Sequence, residues 1–334
     1  MKIGFFEIED WEIEYFKPRL ADYELFFTRE AITKDKLPAE KNFDIISVFT
    51  GSIINQEVLN TLPNLKFIAG RTTGYDHIDL KTTQAKNILV SNVPSYGENT
   101  VAEFAFGLLL CLSRKIFLAY DKIRETGSFN LEGLQGFDLK DKILGIVGTG
   151  RIGRNMAKIA NGFGMKIIAY DTAPNFELEK ELGLKYVSFE DLLKNSDIIS
   201  LHVPYLKSTH HLINKENIKL IKPGAILINT SRGSVVETDA LVRALNDKIL
   251  AGAGLDVLEE EAPTKDERQF LLYGRPDEHN LKTILQNHVL IDMDNVIITP
   301  HNAFNTKEAL ERILNTTIEN IVGFVNGSPK NLVK

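Results

Sequence analysis

Three apolar runs in this 334-residue chain end in residues able to do chemistry. "AILINTSRG" reaches Arg232, "GAGLDVLEEE" passes Asp256 to end in Glu259, Glu260 and Glu261, and "NVIITPH" ends at His301. An arginine offers a planar fork of donors that grips a carboxylate and polarises a carbonyl beside it. A histidine titrates near neutrality, so it can protonate an oxygen that has just gained charge and take the proton back in reverse. A carboxylate on the far ring nitrogen fixes the tautomer and favours the imidazolium. This set suits hydride reduction of a 2-keto acid, and it needs no metal because arginine and imidazolium together stabilise the oxyanion. Taken singly, each residue has an ordinary reading: a solvated loop arginine, a wet run of glutamates, a structural histidine. Spacing alone does not choose among the three glutamates. The case rests on whether one fold brings the three run ends together.

The strand-like "KILGIV" runs into Gly148-Thr149-Gly150-Arg151-Ile152-Gly153, then a helical pattern, then "KIIAYD". Glycine-rich turns are common, but here the G-x-G-x-x-G pattern lies between strand and helix. Asp171 follows 18 residues after Gly153, which is the dinucleotide-binding context. Gly148 permits the tight turn, Gly150 lets the backbone approach a pyrophosphate, and Gly153 lets the helix sit close to the strand. The helix N-terminus then holds the phosphates. Asp171 can accept from a ribose diol and repels a 2′-phosphate, and Thr172 and Ala173 bring no cation to offset that, so NAD is expected over NADP.

Elements that would position these residues alternate along the chain. "KIGFF", "YELFFT", "DIISVF", "LKFIA" and "ILVSNV" occupy the first hundred residues. "KILGIVG", "KIIAYD", "DIISLHV", "AILINTS", "GAGLDV" and "NVIITP" follow. Several are continuously apolar, as strands buried on both faces of a parallel sheet are. Stretches such as "NQEVLNTLP" and "RNMAKIANGFG" suit crossover helices, giving the α/β alternation of doubly wound sheets. Between the two sets, Pro94, Gly97 and Asn99 precede a long apolar helix expected to start near Thr100, with Glu103 in a capping-box position. The last thirty residues read as an amphipathic helix with no strand after it, able to return over the first domain. In such sheets the carboxyl ends of strands open onto the cofactor crevice, so Arg232, a glutamate and His301 can converge there.

The remaining histidines read as bystanders. His202 sits in "DIISLHV", His210 and His211 are expected to face apart, His77 to cap a turn, and His279 and His288 to lie in a polar segment. A net charge of −6, from 39 basic and 45 acidic residues, argues against nucleic-acid or anionic-membrane partners. The lone Cys111 makes no internal disulfide and no thiolate zinc site. Acids appear by Glu7, and the longest greasy stretch is half a membrane span, so a cytoplasmic location is expected.

Along nearly its whole length the chain resembles the NAD-dependent D-2-hydroxyacid dehydrogenases. The carriers are "TTGYDHIDL", "NVPSYGENTVAEFA", "GTGRIG" with Asp171, "LHVP", "INTSRG", "AGLDV" followed by Glu, and "TPHNAF". The resemblance implies Arg232 as carboxylate binder, His301 as acid–base group, and the glutamate 29 residues after the arginine, Glu261, as its orienter. It implies that Asp256 holds the nicotinamide carboxamide and that Arg151, Ile152, Val203, Pro204, Thr209, Thr230 and Ser231 line the cofactor. Main-chain N–H groups of Thr73 and Gly74 would hold the substrate carboxylate, with Tyr96 nearby.

The implied architecture is a Rossmann-type NAD domain, 99–301, and a discontinuous flavodoxin-like substrate domain, 1–98 with 302–334, across an interdomain cleft. A homodimer through the region 100–126 is also implied. "NVPSYG" and "PHNAFNT" look closest to the D-lactate and D-2-hydroxyisocaproate branch, acting on pyruvate or a somewhat larger 2-keto acid. Asn305, where many such members carry Tyr, and Gly51, near where some carry an aromatic, imply a roomier pocket. The 40-residue span from Glu261 to His301 is longer than in some lactate enzymes. Two alternatives share the fold: an NADH-sensing corepressor-like protein, and an enzyme for glyoxylate, formate or phosphoglycerate.

Overall fold

A computed structural model describes residues 1–261 and 280–333. The chain divides into two compact units, Met1–Tyr96 with Asn305–Lys334, and Gly97–Phe304.

The first unit is built on five parallel strands: β1 (Lys2–Phe5), β2 (Glu24–Phe27), β3 (Ile45–Val48), β4 (Phe67–Gly70) and β5 (Leu89–Ser91), in the order β2-β1-β3-β4-β5. β3 and β4 are buried throughout, which is why they read as unbroken apolar runs. The final helix, Lys307–Val325, is capped by Thr306, whose side chain accepts from the Ala309 N–H. It returns to this sheet: Leu314 and Ile321 join Ile3, Phe5 and Phe67 in one core, and Phe324 stacks on Phe67 with centroids 4.4 Å apart.

The second unit holds seven parallel strands. They are β6 (Ile143–Val147), β7 (Lys166–Tyr170), β8 (Lys185–Tyr186), β9 (Ile198–Leu201), β10 (Ala225–Asn229), β11 (Leu250–Leu255) and β12 (Val296–Ile298), ordered β12-β11-β10-β9-β6-β7-β8. The chain runs outward from β6 on one side and from β9 on the other. The topological switch point, where doubly wound sheets bind ligands, therefore lies between β6 and β9. The eleven strands expected from apolar runs all form. β8, a two-residue strand at the sheet edge, carried too few residues to give a period.

The apolar helix departs from expectation at both ends. It spans Glu98–Ser113 with Gly97 at its N-cap and no side-chain cap bond, so Glu103 closes no capping box and instead accepts from the Asn99 amide at 3.1 Å. At Lys115 the backbone turns left-handed, φ 51°, and a separate helix, Ile116–Thr126, begins. Among the described residues no helix is long and apolar enough to cross a membrane.

Candidate active site

β6 ends at Val147 and the backbone turns at once: Gly148 has φ +92°, and a Cβ there would lie 2.6 Å from the His202 carbonyl oxygen. A Cβ on Gly153 would strike the Gly148 carbonyl at 2.0 Å, so only glycine lets helix Arg151–Gly162 start this close to the strand. Nothing lies within 4 Å of a Cβ built on Gly150, which leaves that face open to a phosphate. Across the turn, Asp171 Oδ2 accepts from the Thr149 N–H at 2.7 Å and its hydroxyl at 3.0 Å, which fixes the carboxylate at the exit of β7. A Val203 methyl comes to 3.0 Å of the Gly148 Cβ position. Thr209 donates to the Pro204 carbonyl at 2.7 Å and rigidifies the loop after β9. Arg151 reaches to 3.6 Å from Glu98, and Ile152 packs on the core beneath the loop. The buried Thr230 hydroxyl at the exit of β10 has no hydrogen-bond partner among the described residues, as a group awaiting a ligand would not. An open glycine between two sterically required ones, a helix N-terminus, a fixed carboxylate and an orphaned hydroxyl along the carboxyl ends of the strands fit a dinucleotide.

β10, β11 and β12 are adjacent and parallel, so Arg232, Glu261 and His301 all follow the carboxyl ends of neighbouring strands. Asn229, 1% exposed, shapes the arginine's turn: its Oδ1 accepts from the Ser231 N–H and hydroxyl at 3.0 and 2.8 Å, and its amide donates to the Arg232 carbonyl at 2.9 Å. Arg232 is half-buried, in extended backbone, with Nη1 donating to the Ser231 carbonyl at 2.8 Å. His301 Nδ1 lies 3.1 Å from Glu261 Oε1, at side-chain exposures of 24% and 23%. An ionised carboxylate only accepts, so Nδ1 carries the proton and Nε2 is the atom left for chemistry.

The run of three glutamates is resolved by its backbone. Glu260 is left-handed, φ 50°, which sends its neighbours to different partners: Glu259 to His211 and Thr238, Glu261 to His301. Asp256, 1% exposed, accepts from the Thr299 hydroxyl and the Asn302 and Ala303 N–H groups. Burial pushes this carboxyl above its ordinary value, against the pull of those three bonds. Here it organises the turn carrying His301, a local role that the AGLDV signature did not reveal.

The other expected substrate residues lie in the first unit. Arg71, buried beneath the β4 exit, donates to the Phe6 and Glu7 carbonyls at 2.7 Å each and to Ser47 at 3.2 Å. The following turn is held by Thr73 donating to the Val93 carbonyl at 2.8 Å and Thr72 to that of Gly74 at 2.6 Å. Arg312 donates to the Tyr96 carbonyl at 2.6 Å.

Among the bystanders, His202 is the first residue beyond β9, with Nε2 2.9 Å from the Ser200 hydroxyl. Burial pushes its pKa down to about 4, so it is neutral beside the glycine turn. His210 and His211 do not face apart. Their rings stack at 3.9 Å, because left-handed φ at His211, 50°, swings its side chain to the same side. His288 sits in helix Leu281–Ile291, LKTILQNHVLI, which is more apolar than the polar segment expected. His279 and the rest of 262–279, in the span between Glu261 and His301, lie outside the described residues.

Fold and site define a nicotinamide-dependent oxidoreductase. The model for "D-isomer specific 2-hydroxyacid dehydrogenase, NAD binding domain" matches residues 106–303. A glyoxylate reductase of Thermococcus litoralis is 40% identical, over 98% of this chain and 91% of its own. A D-lactate dehydrogenase of Curvularia clavata is 36% identical, over 98% and 94%. The crystal structure of D-lactate dehydrogenase from Aquifex aeolicus, complexed with NAD and lactic acid, matches at TM-score 0.88 and 37% identity, covering 99% of this chain and 98% of that one. The chain belongs to the D-2-hydroxyacid dehydrogenase family, with NAD as cofactor.

Proposed function

We propose that this enzyme reduces a small 2-keto acid, pyruvate or a close analogue, to the D-2-hydroxy acid, and runs in reverse with NAD. The observation that carries the reading is the His301–Glu261 pair, beside the Arg232 turn on adjacent strands. When bound, NADH supplies the hydride to the keto carbon. Arg232 takes the substrate carboxylate in its fork and draws electron density from the neighbouring carbonyl. His301 delivers the Nε2 proton to the oxygen as charge develops there, and Glu261 on Nδ1 stabilises the imidazolium that the step requires. Thr73 and Gly74 offer main-chain N–H groups that find no acceptor among the described residues, which suits them to a carboxylate, and Tyr96 is the further substrate contact we assign.

Relatives named for glyoxylate and for D-lactate both align over nearly the whole chain, so the size of the keto acid's side chain is the open variable. The corepressor-like alternative draws no support from relatives that carry enzyme names. A second copy of the chain is the proposed partner, through the 100–126 region. Helix Ile116–Thr126 buries none of its residues and exposes Ile116, Phe117, Tyr120 and Ile123, an apolar set that a monomer would leave wet.

The test is NADH oxidation across pyruvate, glyoxylate, phenylpyruvate, 2-ketoisocaproate and oxaloacetate, with chirality of the products determined. Turnover with pyruvate or glyoxylate is expected, giving the D-product from pyruvate. His301→Gln should lower turnover by about 10²–10⁴-fold while NADH still binds. No turnover with any acid, or full turnover in that variant, sinks the reading.

A further inference from the structure

Two residues before Glu261, Glu259 makes a histidine pair of its own. Its Oε1 accepts from His211 Nε2 at 2.7 Å, and its Oε2 accepts from the Thr238 N–H at 3.0 Å and hydroxyl at 2.6 Å. Its carbonyl takes the Asn287 amide at 2.6 Å. The glutamate is 14% exposed and the histidine 32%. Removing the imidazole would therefore strip a donor from a carboxylate that water reaches poorly.

The pair sits where three segments of the site meet. The His211 N–H donates to the Ser234 carbonyl at 2.8 Å, inside the turn Gly233–Val235 that directly follows Arg232. Gly233 presses on the other side: a Cβ there would lie 1.9 Å from the Leu258 carbonyl carbon and 2.3 Å from the Glu259 nitrogen. The arginine's turn and the segment leading to Glu261 are thus in backbone contact. His211 belongs to the loop that leaves β9, and its ring reaches across to fasten both. Its left-handed φ of 50° is strained in a non-glycine residue, and the ring in that conformation meets Glu259.

We propose that His211 is a positioning residue. Paired with Glu259, it holds the Leu258–Glu261 segment and the Arg232 turn in the register that proton transfer needs. The inference rests on the roles given above to Arg232, Glu261 and His301. Within the pair Glu259 faces His211, and His210 stacks on His211 from its own loop. Glu261 and Asp256 both act on His301.

The test compares the wild type with His211→Ala and His211→Gln in the full chain saturated with NADH. The alanine variant should lose about 10–100-fold in kcat/KM for the keto acid, mostly in kcat. The limb of its profile that falls at high pH should move to lower pH, because a displaced Glu261 supports the imidazolium less well. The glutamine variant, whose amide can still donate to Glu259, should recover most of both. Hydrogen–deuterium exchange gives a readout independent of turnover: amides at 230–236 and 258–261 should exchange faster in the alanine variant and near the wild-type rate in the glutamine variant. Should the alanine variant not fold, His211→Asn, too short to reach Glu259, replaces it. An unmoved pH limb with full kcat/KM, or a lowered Tm alone, overturns the proposal. A wild type inactive on every keto acid, with those amides still loosened in the variant, overturns the chemical reading and supports the positioning. An active wild type with unchanged exchange overturns the positioning alone.

Discussion

Asp256 holds His301 in a left-handed backbone conformation that is uncommon outside glycine. His301 has φ +55°, and its N–H donates to the Asp256 and Thr299 carbonyls at 2.9 Å each. The Asp256 carboxylate then gathers the Asn302 and Ala303 N–H groups at 2.8 Å. Strain of this kind persists where surrounding bonds over-determine it, and it is found at sites where a side chain must be aimed. Asp256→Asn replaces one acceptor oxygen with an amide that faces a backbone donor. The variant should lose about 1–3 kcal/mol of stability, and the misaimed imidazole should lower kcat by about 10–100-fold. Thermal unfolding and steady-state rates on one preparation check both. A variant that unfolds earlier yet keeps full kcat would show that the turn is structural only.

Asn229 does for Arg232 what Asp256 does for His301, with an amide in place of a carboxylate. Both ends of its side chain are used, accepting from Ser231 and donating to the Arg232 carbonyl. Asn229→Asp keeps the acceptor but sets an anionic oxygen against the Arg232 carbonyl, so the turn must open. The expected result is a KM for the keto acid raised by about tenfold or more, while NADH affinity changes less. An unchanged KM would separate Asn229 from the arginine's placement.

Which features were legible before the structure follows from their physics. Strands buried on both faces announce themselves by unbroken apolar runs such as "AILIN", and the nucleotide loop is legible because steric contact forces two of its glycines, Gly148 and Gly153. The glutamate run was illegible because its members differ only in a backbone turn at Glu260 that no residue type marks. The helix start at Glu98 was missed because Gly97 caps without a side chain, leaving Thr100 and Glu103 to imitate a capping box. Asn229 lay within a strand pattern, where its side-chain bonds leave no period to read.

His202 makes a prediction about pH. Its pKa is lowered from 6.5 to about 4 by burial, so the folded protein resists protonation that the unfolded chain accepts. As pH falls through that interval the unfolded state binds the extra proton and stability is lost, by up to about 3 kcal/mol. Asp239 acts in a lower window: Lys282, Gln286 and Arg243 hold it at about 2, so its contribution fades only below its ordinary 3.8. Denaturant midpoints of the cofactor-free protein at pH 7 and pH 5 should therefore differ more in the wild type than in His202→Asn. Equal differences would mean that solvent reaches His202 and that its neutrality is not enforced.

Gly51 has a reason in the first unit that its sequence neighbours did not suggest. Glu7, left-handed at φ 53°, extends its carboxylate into the turn after β3, where the N–H groups of Phe49, Gly51 and Ser52 donate to it at 3.1, 2.6 and 3.0 Å. A Cβ on Gly51 would lie 2.7 Å from Glu7 Oε1, so a side chain there competes with the carboxylate for its nest. Any roominess that glycine gives a substrate pocket comes with this local requirement. Gly51→Ala should cost about 1–3 kcal/mol by displacing the carboxylate, and Gly51→Phe should cost more. Replacing Glu7 with Ala in the Gly51→Ala background should make the alanine nearly neutral, because the atom it strikes is gone. A double-mutant cycle by chemical denaturation measures the coupling. Additive effects within about 0.5 kcal/mol would mean that the two residues act independently, leaving pocket size as the reason for Gly51.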